Sequence, residues 1–140
     1  MADFQISNNK TSKEEGLYSV TPGDTGGETW KGIARLSHPK WAGWVIVDNQ
    51  KKLPNFPYNL EQLTYLQKLV DDLKINKYWN VMRGDEIQSQ MKADSLYDSC
   101  INMGPSRAIK LAQAALSIPQ TGKMDNTTLN ILNLDVIIVL

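Results

Sequence analysis

The residues EEGLYSVTPGDTGGETWKGI, Glu14 to Ile33, decide how this chain is read. Gly16, Pro22, Gly23, Asp24, Gly26, Gly27 and Gly32 crowd the stretch from Gly16 to Gly32, and no period of 3.6 can be maintained through them. That stretch reads as a long structured loop or a short hairpin. Loops of this length are uncommon in compact domains and are disproportionately functional. Upstream, the polar segment Asp3 to Glu15 carries helix formers near its end and Asp3 as an N-cap, so a helix is expected to deliver Glu14 and Glu15 to the loop.

Downstream the pattern becomes helical. Ile33 to Trp44 reads as a short helical or irregular stretch, Trp44 to Val47 as a strand, and Lys51 to Asn59 as a linker in which Pro54 and Pro57 exclude a continuous helix. Leu60, Leu63, Leu66, Leu69, Val70 and Leu73 then recur at spacings of three and four, which predicts a helix to about Lys74. A second helix is expected from about Asp85 to Met103, with Ile87, Met91, Leu96, Tyr97, Cys100 and Ile101 inward and Gly104 as its stop. Pro105 suits the first turn of a third helix through Leu116, apolar on Ala108, Ile109, Ala112, Ala115 and Leu116. Asp125 is the expected N-cap of a last helix holding Leu129 and Leu132, and Val136 to Leu140 reads as a strand and, if exposed, a template for self-association.

At 140 residues one domain is expected, divided into a loop-bearing half, 1–59, and a helical half, 60–140. Hydrophobic residues at 41% and charged residues at 21% are ordinary globular proportions, which exclude disordered and fibrous classes. Fifteen basic and fifteen acidic residues cancel, leaving no excess to neutralise a phosphate backbone, so nucleic acid is not an expected partner. The longest apolar run, Trp41 to Val47, falls far short of the ~20 residues of a membrane span. MADFQISNNK lacks the basic and apolar regions of a signal peptide, so synthesis in the cytoplasm without a cleaved signal is expected.

Cys100 has no partner for an internal disulfide, and with His38 as the single histidine neither a zinc site nor a Cys/His or Ser/His nucleophile is favoured. Cys100 reads as a buried helix residue and His38 as a solvated loop residue. Carboxylates, hydroxyls and amides remain, and no metal or organic cofactor is called for. A glutamate held at a helix end against a loop can be desolvated until it donates a proton at neutral pH, which is what glycosidic cleavage asks of its general acid. Asp24 lies nine residues beyond Glu15 and Thr29 five beyond Asp24, with glycines between that can return the loop across one cleft.

These residues resemble a known family. Glu15-Gly16-Leu17-Tyr18 is similar to the EGGY signature of the family 108 glycoside hydrolases, described as N-acetylmuramidases of phages and Gram-negative bacteria. Pro22 to Thr29, followed by Lys31-Gly32-Ile33, is similar to that family's P-x-D-P-G-G-x-T-x-x-G-I. Further on, Tyr78-Trp79, Leu96-Tyr97-Asp98, Asn102 with Gly104, Ala108, Gln113, Thr121-Gly122 and Thr128-Leu129 resemble the region described as the family's peptidoglycan-binding part. Leu17 stands for the second glycine of EGGY, Thr25 for the proline of DPGG, and Ala34 for a common Thr or Ser. Family members usually continue past the position of Leu140, so the substrate groove is expected to be shortened.

The resemblance implies a mainly α, lysozyme-like single domain with the Gly-rich loop facing the helical half across a cleft. It implies cleavage of the β-1,4 link between N-acetylmuramic acid and N-acetylglucosamine in peptidoglycan glycan strands, at the cell wall or periplasm after release or export. Glu15 would be the acid, and Asp24 or Thr29 would position water or support the developing charge. Tyr18, Trp30, Lys31 and Asn102 are the expected substrate contacts. Each has a plainer alternative. Asp24 and Thr29 can simply brace the loop, Trp residues in so small a domain are mostly core, Lys31 can be a solvated loop lysine and Asn102 a cap. At the level of the whole chain, the alternatives are a peptidoglycan-binding module without turnover and an assembly protein of a phage or secretion system.

Overall fold

Asp3 starts the first helix because its carboxylate accepts two orphan backbone N–H groups, from Gln5 at 2.8 Å and Ile6 at 3.3 Å. Helix α1 runs Phe4–Ser12 behind that cap. The computed structural model describes residues 1–13, 17–20 and 27–134. After α1 come strands β1 (Tyr18–Val20), β2 (Glu28–Trp30) and β3 (Ile33–Ala34), then helices α2 (Gly43–Gln50), α3 (Thr64–Lys74), α4 (Gln90–Met103), α5 (Pro105–Ala115) and α6 (Asn126–Leu132). Single 3₁₀ turns, Tyr58–Gln62 and Gly84–Glu86, and a π-turn, Ile75–Trp79, join them. The expected ending of α1 through Glu15, and the strand from Val136 to Leu140, lie outside the described residues. No described helix is long and apolar enough to cross a membrane.

The chain forms two compact units, Glu14–Leu73 and Met1–Lys13 with Lys74–Leu140. In the first, β1, β2 and β3 make an antiparallel sheet in that order, the short-hairpin alternative of the sequence reading. Its core is Trp30, Ile33, Trp44, Val47, Leu60, Leu66 and Val70. The strand expected at Trp44 to Val47 is instead the middle of helix α2. Trp44 and Val47, three apart, are buried while Val45 between them is exposed, a helical pattern that outweighs β-branched propensity. Gly43 starts this helix where any Cβ would stand 2.3 Å from the Trp41 ring, and Trp41 packs edge-on against Trp44 with centroids 5.3 Å apart. The helix expected from Leu60 to Lys74 is split, because Leu63 is extended between the 3₁₀ turn and α3.

In the other unit α1 lies on α4. Ser7 Oγ donates to Asp94 at 2.6 Å, Lys10 pairs with the other oxygen of the same carboxylate, and Tyr97 Oη donates to Asn8 at 2.9 Å. Phe4, Trp79 and Tyr97 meet edge to face, with centroids 5.7 to 5.9 Å apart, at the centre of the core. Cys100 is buried there as expected, its thiol pushed up to about 12 by desolvation. Helix α4 starts later than the sequence suggested, since Ser89 caps it by accepting from Lys92 N at 3.3 Å. Met91, expected inward, is 80% exposed on its first turn, and Ile87 reaches the core from just ahead of the helix. Gly104, at φ +88°, divides α4 from α5, and Pro105 opens α5 as expected.

On α5 the inward stripe is Ala108, Ile109, Ala112 and Gln113, whereas Ala115 is exposed. Gln113 is buried because its amide organises the following loop. Its Oε1 accepts from Gly122 N at 3.0 Å, and its Nε2 donates to Thr121, Thr128 and the Lys123 carbonyl at 2.9 to 3.1 Å. Asp125 then caps α6 by accepting from Thr128 N at 2.8 Å. Asp125→Ala is expected to lower the midpoint of thermal unfolding by roughly 2–4 °C, the effect of a lost N-cap. An unchanged midpoint would remove the cap from the account of this helix.

Candidate active site

The hairpin sorts its residues by alternation. Tyr18 faces Trp30, Ser19 faces Thr29 and Val20 faces Glu28 across an antiparallel pair, and period two sends neighbouring side chains to opposite sides. Tyr18, Glu28 and Trp30 share one side; Ser19 and Thr29 share the other. Glycines at φ +69° (Gly27) and +83° (Gly32) flank β2, and Lys31 itself sits at φ +47° in the turn to β3.

The inner side is anchored by a charge network absent from the sequence reading. Glu28 accepts from Tyr18 Oη at 2.7 Å, from Arg35 at 2.5 Å and from Lys51 at 2.8 Å, and Arg35 also forks onto both oxygens of Asp48 at 2.7 and 2.8 Å. The guanidinium lies 5.3 Å from the Trp44 ring centroid, which ties the network to the core of the unit. Burial alone would raise the Glu28 carboxyl, but the hydrogen bonds from Lys51, Tyr18 and Arg35 outweigh it and hold the group below its ordinary value. The fork from Arg35 does the same, more strongly, for Asp48. Tyr18 moves the other way, up to about 12, through desolvation and then its bond to Glu28. Glu28 is thus held ionised as a brace of the hairpin.

Four of the residues named from sequence, Tyr18, Thr29, Trp30 and Lys31, are brought together on this hairpin. Trp30, expected as a stacking ring beside the loop, is core at 2% exposure, and its Nε1 has no hydrogen-bond partner among the described residues. Tyr18 is half-buried, edge-on to Phe56 at 4.8 Å. The Lys31 ammonium is held within its own unit, donating to Gln67 Oε1 and lying 3.5 Å from Glu61. Asn102 belongs to the other unit, exposed on the last turn of α4 and donating to Asp98 at 3.2 Å. Glu15 and Asp24 lie outside the described residues.

Leu17, which stands where the family signature has glycine, is exposed and lines a pocket of about 200 Å³ with Tyr18, Trp30, Pro57, Tyr58 and Glu61. On the outer side Ser19 Oγ and Thr29 Oγ1 are 2.8 Å apart, a hydroxyl pair of which the sequence reading named only Thr29. Strand pairing was the missing signal. Once Tyr18 is set opposite Trp30, Ser19 must fall opposite Thr29.

A mainly α lysozyme-like fold, interrupted by one short sheet whose outer side presents hydroxyls, is the architecture these elements define. The chain belongs to the glycosyl hydrolase 108 family, whose model matches residues 8–104. It is similar to SagA of Brucella abortus, with 25% identity over 92% of this chain and 67% of that chain and a TM-score of 0.66. No curated protein matches it. The family makes a glycan the class of substrate.

Proposed function

We propose that the chain is an N-acetylmuramidase, hydrolysing the β-1,4 link between N-acetylmuramic acid and N-acetylglucosamine in peptidoglycan. The observation that carries this reading is the match to a glycosyl hydrolase family over residues that run from the middle of α1 through the hairpin, with Glu15, Asp24 and Thr29 standing in the family's order. Glu15 gives its proton to the leaving glycosidic oxygen as the bond to the anomeric carbon breaks. As a water oxygen, oriented by Thr29 or Asp24, bonds to that carbon, its proton passes to the Asp24 carboxylate, which also supports the positive charge that develops on the ring. Thr29 lies on the outer side of the hairpin, away from the buried ring of Trp30, and its hydroxyl is in reach of ligand. Tyr18 and Trp30 serve this chemistry by holding the strands in register. The reaction takes place at the cell wall or periplasm, reached by release or export.

Purified peptidoglycan incubated with the protein is expected to gain new reducing ends without release of free amino groups, at a rate unchanged by a chelator. Retention of the protein on the wall with no new ends would replace this reading by that of a binding module. Release of amines would replace it by amidase or peptidase action.

A further inference from the structure

We infer that Ser19 is a positioning residue for the hydrolytic water, acting through Thr29; the inference rests on the hydrolase reading above. The two residues are directly opposed in the hairpin, with their oxygens 2.8 Å apart on the side that faces away from Tyr18, Glu28 and Trp30. A lone threonine hydroxyl is a rotor that can point its proton toward or away from a bound water. An attacking water becomes more nucleophilic when it donates a hydrogen bond, and to accept that bond Thr29 Oγ1 must present a lone pair and not its own hydrogen. Donation from Thr29 Oγ1–H to Ser19 Oγ achieves that orientation. The strands hold the two oxygens at that separation. Trp30 and Glu28, the neighbours of Thr29 on β2, are fixed respectively in the core and in the Arg35–Lys51 network. Tyr18, the neighbour of Ser19 on β1, is fixed by its bond to Glu28. The hydroxyl pair is therefore held from beneath at both strands, with Ser19 exposed and Thr29 partly so.

The Ser19 side chain is exposed, so deleting the hydroxyl removes little from the fold.

The test compares Ser19→Ala, Ser19→Thr, Thr29→Ala and the Ser19→Ala/Thr29→Ala double variant by release of reducing ends from purified peptidoglycan. The maximal rate of Ser19→Ala is expected to fall ~3–10-fold with the half-saturating substrate concentration unchanged, the size of one lost hydrogen bond expressed in the transition state. Ser19→Thr, which keeps an acceptor oxygen, is expected to restore most of that rate. The double variant is expected to be no slower than Thr29→Ala alone, because Ser19 has nothing left to orient. An impaired Thr29→Ala beside a wild-type Ser19→Ala would overturn the inference and leave the hydrolase reading standing. So would a Ser19→Ala loss that persists in full in the Thr29→Ala background, or a Ser19→Ala rate that tracks a fall in thermal midpoint. Wild-type turnover by Thr29→Ala would strike the role of Thr29 itself, and Ser19 would fall with it.

Discussion

Glu15→Gln is expected to lower the rate of reducing-end release by ~10²–10⁴ while the protein unfolds at its wild-type temperature. The amide keeps the shape and most hydrogen bonds of the acid but has no proton to transfer, so the loss belongs to the maximal rate and not to substrate affinity. Glu14→Gln is expected to be nearly silent, because the acid of the family signature is its neighbour Glu15. Asp24→Asn separates the two roles open to that residue. A slower enzyme of unchanged stability marks a water-positioning or charge-supporting carboxylate, and a less stable enzyme marks a loop brace. Wild-type turnover by Glu15→Gln would show that another residue is the acid, and Glu28 would not be it, being held ionised by Lys51, Tyr18 and Arg35.

The second large effect is on stability. Glu28→Gln removes the more buried of the two carboxylates that Arg35 and Lys51 share, 11% exposed beside Asp48 at 44%, and is expected to destabilise the protein by about 2–3 kcal/mol, short of a fully buried pair. Thermal unfolding would show this as a fall of roughly 4–12 °C. A drop of under a degree would mean the ion pairs contribute nothing net. The same network predicts how stability follows pH. Glu28 and Asp48 both have lowered values in the folded chain, so the unfolded state binds protons first and the stabilisation is complete above about pH 5, where unfolded carboxylates are ionised. It is lost as pH falls through the folded values. Tyr18 has the opposite sign, its raised value meaning that its contribution is complete below about pH 10 and fades as pH rises through about 12. In Glu28→Gln the acid limb of the profile is expected to flatten.

Features written in local order were legible in the sequence. Asp3 caps a short polar helix through a side-chain oxygen, and Gly104-Pro105 and Asp125 mark boundaries by backbone chemistry that needs no neighbour. What misled was propensity without context. WVIV at Trp44 to Val47 is a strand by composition and a helix by what it buries, because Trp44 and Val47 are drawn to one core while no strand is offered as a partner. Gln113 was legible as a family position but not as a core residue, since an amide is buried only where a loop supplies partners, and those come from Thr121 to Thr128. The site divides similarly. Thr29 is named by a motif, whereas Ser19 and the Arg35–Asp48–Lys51 support become visible only when strands are paired and residues distant in sequence meet.

The contact between Ser7 and Asp94 closes a span of 87 residues, and its consequence lies in the order of events during synthesis. Helix α1 emerges first, yet the helix it packs on is not made until roughly 4–17 s later at ribosomal rates of about 5–20 residues per second. Meanwhile the segment Glu14–Leu73, whose core residues all lie within it, can complete its contacts over much shorter loops. A helix synthesised before that segment is thus fixed in place after it.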